Sequence, residues 1–584
     1  MREKILKLLQ SDAYHPMVAN QIFQLLNLKD SKEFTQLVKT LNQLEDEGEI
    51  THNSRGEYAT FEKLNLAKGI IDVKDGGYAF VDTDLGGIFI KSDNINGAIT
   101  YDEVLVEYYL DNLGRYEGKV VKIIKRNTRV IIGPVSRLRQ KAIVRSIDSK
   151  IKLLVFIKEK DLKKAKVNDI VKVEITEYFP NMTADGKVVE VYGNKHLPGL
   201  DITSMVLSSG VPVEFPEDVK KEIKTIPNKI DSEVILQKNP KIRDLRDKLI
   251  ITIDGDDAKD LDDAISLEYN DSGNYHLGVY IADVSHYVQE KSPLDTEALN
   301  RGTSVYLPDR VIPMLPKELS NGICSLNEKV DRLVMACEME IDHDGKIINH
   351  DIFEAIINNK HRMTYSNVNA MLEDKNQAIR DAYFDIYPML KQMNELAKTL
   401  RNKRIKRGSF EFESLEPRLI LDQNGKVVDI VLRKQRSAEK LIEEFMLAAN
   451  ETVAKAMTWL NVPFIYRVHE EPSDEKITKL LETLDLFGYN VKIKNKKAMP
   501  KKLQEVLLSL ENDEDIIINQ MMIRSMSKAK YQEYNIGHFG LASECYTHFT
   551  SPIRRYPDLL VHRLVKQFML GEDEVTVTSP VEYF

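Results

Sequence analysis

Six aspartates crowd the segment ITIDGDDAKDLDDAISLEYN, residues 251–270: Asp254, Asp256, Asp257, Asp260, Asp262 and Asp263. Carboxylates this close repel one another, and folding them together costs stability unless a cation is bound or protons are retained. The segment is therefore either a solvated acidic loop or a metal site. A calcium loop of EF-hand type, counted from Asp254, needs an oxygen ligand at its fifth position, glycine at its sixth and glutamate at its twelfth. The chain has Ala258, Lys259 and Ile265 there, which excludes that loop. A loop bathed in water has no need of flanks as apolar as LIITI and AISL, which read as strands. In the remaining arrangement Asp254 closes one strand, and Asp260, Asp262 and Asp263 return to the same place before the next begins. In extended geometry Asp260 and Asp262 point to one side and Asp263 to the other, so a bend is needed to gather them round one centre. Four carboxylates without His or Cys suit Mg2+, or Mn2+, which prefer oxygen ligands and commonly share a phosphate with the substrate.

A site that cleaves phosphate esters also needs donors for the charge developing on the phosphorus oxygens. The segment HFTSPIRRYPD, residues 548–558, supplies Arg554 and Arg555 beside Thr550 and Ser551. Arginine presents a planar fork matched to phosphate. The same segment reads as a helix start, with Ser551 and Pro552 as an N-cap and first-turn pair.

These residues need a large frame to hold them. A chain of 584 residues exceeds one ordinary core, and 42% hydrophobic with 30% charged residues is the composition of a soluble, multidomain globular protein. No apolar run is long enough to span a bilayer and no signal peptide is visible, so no membrane association is expected. Cys324, Cys337 and Cys545 are far apart and outside metal spacing, which points to a reducing compartment, the cytoplasm. The net charge of −9 argues weakly against a nucleic-acid partner, but charge is segregated: residues 119–145 carry nine Lys or Arg and no acid.

Residues 1–65 read as three helices and a hairpin turning at Arg55-Gly56, the pattern of a winged helix-turn-helix that binds nucleic acid or another protein. From Lys68 the pattern becomes short alternating strands, with Tyr78, Phe80 and Phe89 on one face of neighbouring strands. Such rings either stack on single-stranded bases or fill the inside of a barrel. The stretch resembles a cold-shock-type OB domain, except that Tyr101-Asp102 stands where that family usually has Gly-Asp. A second barrel of strands follows across 141–192. A connector with one helical piece, PEDVKKEIKTI, leads to a long mixed α/β region. The expected domains are 1–65, a first barrel at 66–133, a second at 134–193, a connector at 194–240 and a catalytic region at 241–584.

The ordered motifs DGDDAKDLDDA, RGTSVYLPDRVIPMLPKELSNGICSLN, RGSFEFES, KLIEEFMLAAN, YRVHEEP and GHFGLASECYTHFTSPIRRYPDLLVHR resemble the ribonuclease II/ribonuclease R (RNB) family, and its ribonuclease R branch most. The resemblance implies a multidomain α+β fold: a winged helix-turn-helix, two OB-fold barrels and a mixed α/β RNB catalytic domain. It implies processive 3′-to-5′ hydrolysis of RNA to nucleoside 5′-monophosphates by two-metal chemistry. On this resemblance the catalytic aspartates are Asp254, Asp260, Asp262 and Asp263, Asp256 and Asp257 are bystanders, and Arg554 is a phosphate clamp. Tyr306 and Phe412 sandwich the terminal bases, while Tyr365 and Glu443 lie near the last nucleotide and its ribose. Single-stranded RNA, or structured RNA with a 3′ overhang, is the implied partner, acted on by a monomer. His286, His469, His538, His548 and His562 read as hydrogen-bonded structural residues.

The resemblance stops early. In the family, further helices with another active-site carboxylate and an S1 domain follow SPIRRYPDLLVHR, whereas here the sequence ends at Phe584. The expectation is therefore an uncovered apolar stripe on LLVHRLVKQFML that invites a protein partner. The alternative function is an RNA-binding or RNA-chaperone protein with impaired catalysis.

Overall fold

The computed structural model describes residues 1–571 except 12, 54, 113, 412–415, 423–424, 492–498 and 511–514. These fall into two compact units, one built on Met1–Val211 and a larger one that begins at Pro212. None of the described helices is long and apolar enough to cross a membrane.

The first unit opens with helices Arg2–Gln10, Ala19–Leu25 and Ser31–Asp46, then a small antiparallel pair, Thr51–His52 with Tyr58–Ala59. The third helix starts at a reciprocal cap: Glu33 N donates to Asp30 Oδ1 and Lys29 N donates to Glu33 Oε2. Ile5, Leu9, Ile22, Leu37 and Leu41 close a core of their own.

Five strands, Leu66–Val73, Ala79–Thr83, Gly86–Ile90, Glu103–Leu110 and Tyr116–Lys125, then form a closed barrel. Alternation sends Ala79, Val81, Ile88 and Ile90 inward. Phe80 and Phe89, directly opposite each other across two strands, therefore lie on the outside with Tyr78. The three rings pack with centroids 5.5–5.9 Å apart. Tyr101 sits at φ 76°, the left-handed region that favours glycine, while the Asp102 carboxylate beside it is buried against Arg126.

The second barrel comprises Val130–Leu138, Lys141–Arg145, Leu154–Ile157, Asp169–Phe179 and Thr183–Asn194. Its first strand begins at Val130, so a boundary between residues 133 and 134 cuts through that strand. The connector likewise carries three short helices rather than one: Leu200–Ser208, Glu217–Glu222 and Ser232–Lys238.

The larger unit is organised on a seven-stranded mixed sheet. Its spatial order is Arg243–Leu245, Ile347–Asn358, Asp331–Ile341, Tyr275–Ala282, Asp263–Tyr269, Ile251–Asp254 and His361–Thr364. The central strands are buried on both faces, which explains their near-continuous apolar sequence. Helices Tyr387–Arg407 and Ser437–Leu460 contribute their apolar faces to the same core.

The C-terminal helix, Tyr556–Val565, corrects the expectation of an exposed stripe. Leu559, Leu560, Val561, Leu564 and Val565 are all at most 2% exposed. Buried charges pin this end of the chain down. Lys566 Nζ lies 2.7 Å from both Asp283 and Glu354, and Arg563 lies 2.8 Å from Asp295. Burial works against the Lys566 charge, but Asp283 and Glu354 outweigh it and hold its pKa above the usual lysine range.

Removing one member of a buried ion group strands the others. Lys566→Met is expected to destabilise the larger unit by about 3–5 kcal/mol, read from the urea midpoint of the full chain. An unchanged midpoint would show that the triad carries no structural burden.

Candidate active site

Two strand ends and a loop build the acidic site. Asp254 is the last residue of Ile251–Asp254, which runs parallel to His361–Thr364 with Asp254 opposite Thr364. Asp263 is the first residue of Asp263–Tyr269, opposite Ile281. The loop between them is held at several points. Leu261 N donates to Ser325 Oγ (3.1 Å), and that hydroxyl donates to Lys259 O (2.8 Å). Leu326 N donates to Leu261 O, and Ala282 N donates to Asp262 O. Arg362 donates to Ala258 O from outside the loop.

These restraints bring Asp254, Asp260, Asp262 and Asp263 within electrostatic reach of one another. Burial pushes the Asp254 pKa well above the usual carboxylate value, and Asp263, Asp262 and Asp260 raise it further. Burial likewise raises Asp262, against the pull of Arg554. Asp263 is raised by burial to about 6, with Arg554 and Arg555 pulling it down. Asp256 and Asp257 are exposed and turned to other partners, Ser366 and Arg418.

The basic segment meets this cluster through its backbone as well as its side chains. Ile553 N donates to Asp262 Oδ1 (2.9 Å), and Arg554 Nε lies 3.5 Å from Asp262 Oδ2. Arg554 Nη2 donates to Ser551 Oγ, and the side chain stays 44% exposed. Arg555 turns inward to Asp558 (2.6 Å). The expected Ser551-Pro552 helix start is not formed. The helix begins at Tyr556 with Arg555 as N-cap and Pro557 in the first turn. Residues 551–555 are occupied otherwise: Ile553 N serves Asp262, and Thr303 bridges Arg555.

Tyr306 joins the site directly, its hydroxyl donating to Asp260 Oδ2 at 2.7 Å. Burial and the Asp260 charge keep that phenol protonated by raising its pKa. Tyr365 opens the helix Tyr365–Leu372 immediately after Thr364, the register partner of Asp254. Glu443 is carried by the helix Ser437–Leu460, 3.8 Å from Arg404 in a network with Glu411 and Glu444. Phe412 lies outside the described residues. Ser325 and Thr303 shape the site, yet nothing in their local sequence separates them from other hydroxyl residues.

The histidines are structural. His469 Nε2 contacts Ser527 O, His548 Nδ1 contacts the Tyr531 hydroxyl, and His562 Nε2 contacts Phe549 O. His538 Nδ1 accepts from Leu541 N, and His286 packs on the Tyr287 ring. Burial lowers the pKa of His538 and His562 to about 4 and of His548 to about 3, so these rings are neutral near pH 7.

Among the described residues, no three His, Cys, Asp or Glu side chains already stand in ligand geometry around one point. The donor chemistry nevertheless fits a hard cation. Asp254 Oδ2 and Asp262 Oδ2 are buried with no hydrogen-bond partner, a state that costs free energy unless a positive charge approaches. The buried charge also has a measurable consequence without metal. For an aspartate whose pKa is raised by folding, the cost is fully present above the folded pKa and disappears below the unfolded one. In EDTA, Asp263→Asn should therefore raise stability at pH 7.5 by on the order of 1–3 kcal/mol, with the gain shrinking as pH falls from about 6 to 4. A pH-independent difference would show that burial does not penalise the Asp263 charge.

The RNB domain family matches residues 242–571, the cold shock domain family residues 143–216 and the ribonuclease B OB domain family residues 69–123. Ribonuclease R of Thermotoga maritima is 43% identical over 575 residues, covering 97% of this chain and 80% of that protein. Among solved structures, Mycoplasma genitalium RNase R in complex with ribose-methylated single-stranded RNA is similar with a TM-score of 0.78 at 29% identity, covering 88% of this chain and 81% of that one. The same protein in complex with double-stranded RNA gives a TM-score of 0.71 at 30% identity, covering 80% and 81%. Matched by one family across the whole sheet and acidic site, and by a relative along nearly its full length, the chain belongs to the RNB family of 3′-to-5′ exoribonucleases.

Proposed function

We propose that Asp254, Asp260, Asp262 and Asp263 hold a divalent cation, Mg2+ or Mn2+, and that Arg554 steadies the scissile phosphate while RNA is shortened from its 3′ end to nucleoside 5′-monophosphates. The observation that carries this is the pair of buried carboxylate oxygens without a hydrogen bond, one of them 3.5 Å from a half-exposed guanidinium. When bound, the cation supplies Lewis-acid stabilisation of the phosphoryl charge and a more acidic water.

The chain's own groups do the rest. Asp262 is fixed by Ile553 N on one oxygen, leaving the other without a hydrogen bond and available to a cation. Arg554 is tethered to Ser551 through one nitrogen, so its exposed edge can donate to a non-bridging phosphate oxygen. The half-exposed Tyr306 ring offers a face for a terminal base. Tyr365, partly buried against the core beside Thr364, and Phe412 are the candidates for further stacking. Stacking tolerates any base, which suits an enzyme that degrades RNA without regard to sequence. Glu443 is a candidate for ribose recognition, through the 2′-hydroxyl that only RNA carries.

The outer rings Tyr78, Phe80 and Phe89 extend RNA binding to the first barrel, as a platform for single-stranded substrate. Mycoplasma genitalium RNase R has been solved with single- and double-stranded RNA, which supports both strand types as ligands of this chain. The cytoplasm is the proposed location and a monomer the proposed state. A non-catalytic RNA chaperone is disfavoured, because the four aspartates and Arg554 are intact.

Two experiments follow. Asp262→Asn should lower nucleotide release from single-stranded RNA by more than ~10³-fold while RNA binding persists, and EDTA should do the same to the unaltered chain. Cleavage at the unaltered rate would remove Asp262 from the chemistry. Phe80→Ala should weaken binding of single-stranded RNA by about 1–3 kcal/mol, measured by fluorescence anisotropy. Equal affinity would leave the platform without a role.

A further inference from the structure

The Tyr306 side chain lives in two environments. Its residue is 52% exposed, so the ring is open to a ligand, yet its hydroxyl donates a 2.7 Å hydrogen bond to Asp260 Oδ2. The backbone behind it is firmly held. Val305–Tyr306 pairs with Val311–Ile312, and Met314 N donates to Ser304 Oγ. Ser304 N and Thr303 Oγ1 both donate to Arg554 O, and Tyr556 N donates to Gly302 O. Residues 302–306 thus form a splint with one end on the arginine segment and the other on an acidic side chain.

Asp260 needs such support more than its neighbours do. Asp254 and Asp263 are built on strands, and Asp262 is fixed by Ile553 N. Asp260 sits within the loop, where Ser325 secures the backbone on either side of it but not its carboxylate. Asp254, within electrostatic reach of it, repels this side chain. A charge-assisted hydrogen bond from a rigidly mounted phenol opposes that push.

We propose that the Tyr306 hydroxyl is a positioning group that holds Asp260 in the metal-binding set, a role separate from any stacking by its ring. The proposal rests on the reading that the four aspartates bind a divalent cation. Hydrogen-bond partners of ligating carboxylates set metal affinity, and their loss typically costs 10–100-fold.

The test uses Tyr306→Phe in the full chain, which keeps the ring and deletes the hydroxyl. Mn2+ binding is followed by the electron paramagnetic resonance signal of free Mn2+, and RNA binding is measured separately in EDTA. The expected result is a Mn2+ dissociation constant raised by about 10–100-fold, with RNA affinity in EDTA changing far less because the stacking ring is kept. Unchanged Mn2+ affinity in Tyr306→Phe, together with weakened affinity in Asp260→Asn, overturns this proposal alone. Unchanged affinity in both Asp260→Asn and Asp262→Asn overturns the metal reading beneath it. Weaker RNA binding in EDTA with normal Mn2+ affinity assigns the hydroxyl to RNA instead and also overturns the proposal.

Discussion

Four carboxylates share a space from which much of the water has been removed, and the larger unit is organised around keeping them there. Burial raises the pKa values of Asp254, Asp262 and Asp263, and neighbouring carboxylates raise those of Asp254 and Asp262 further. Isolated acids would relieve such strain by turning to solvent. Here the strand ends, the Ser325 anchor and the Ile553 amide restrict that escape. In the proposed function this strain becomes affinity for a cation in the cluster, while the Arg554 guanidinium already stands at its edge.

The arginine side of the site depends on the C-terminal helix. That helix follows Arg555 and is buried along nearly its whole length. Lys566 binds its end to Asp283, one residue beyond the strand whose Ala282 amide holds the Asp262 backbone. A continuous set of contacts therefore links the chain's last described helix to the acidic loop about 300 residues earlier. The neutral histidines near it serve the same end. They hydrogen-bond to backbone and phenol groups without adding cations that would compete with substrate or metal.

Much of this is legible in the sequence where the signal is local. The apolar strands flanking the aspartates, the long helix SAEKLIEEFMLAANETVAKAMTWL and the alternating barrel strands declare themselves by period. The aspartate spacing exposes the site because like charges have few other reasons to cluster. What escaped detection is non-local. Ser551-Pro552 has the chemistry of a helix start, but Asp262, distant in sequence, takes the amide that a first turn would use. The stripe on LLVHRLVKQFML looks uncovered only until it is seen to lie within the core of the larger unit. Strand and helix limits around 130 and 194–240 are set by barrel closure and by packing, which leave weak local marks. The Tyr306 hydrogen bond to Asp260 spans 46 residues and no spacing rule points to it.

Crystals soaked in Mn2+ and measured above the manganese absorption edge offer the most direct check on this electrostatic design. Anomalous density should appear between Asp254, Asp260, Asp262 and Asp263, with carboxylate oxygens moved to about 2.0–2.2 Å from it. Density only at other carboxylates, or none at saturating Mn2+, would mean that the cluster endures its repulsion for some reason other than binding a cation.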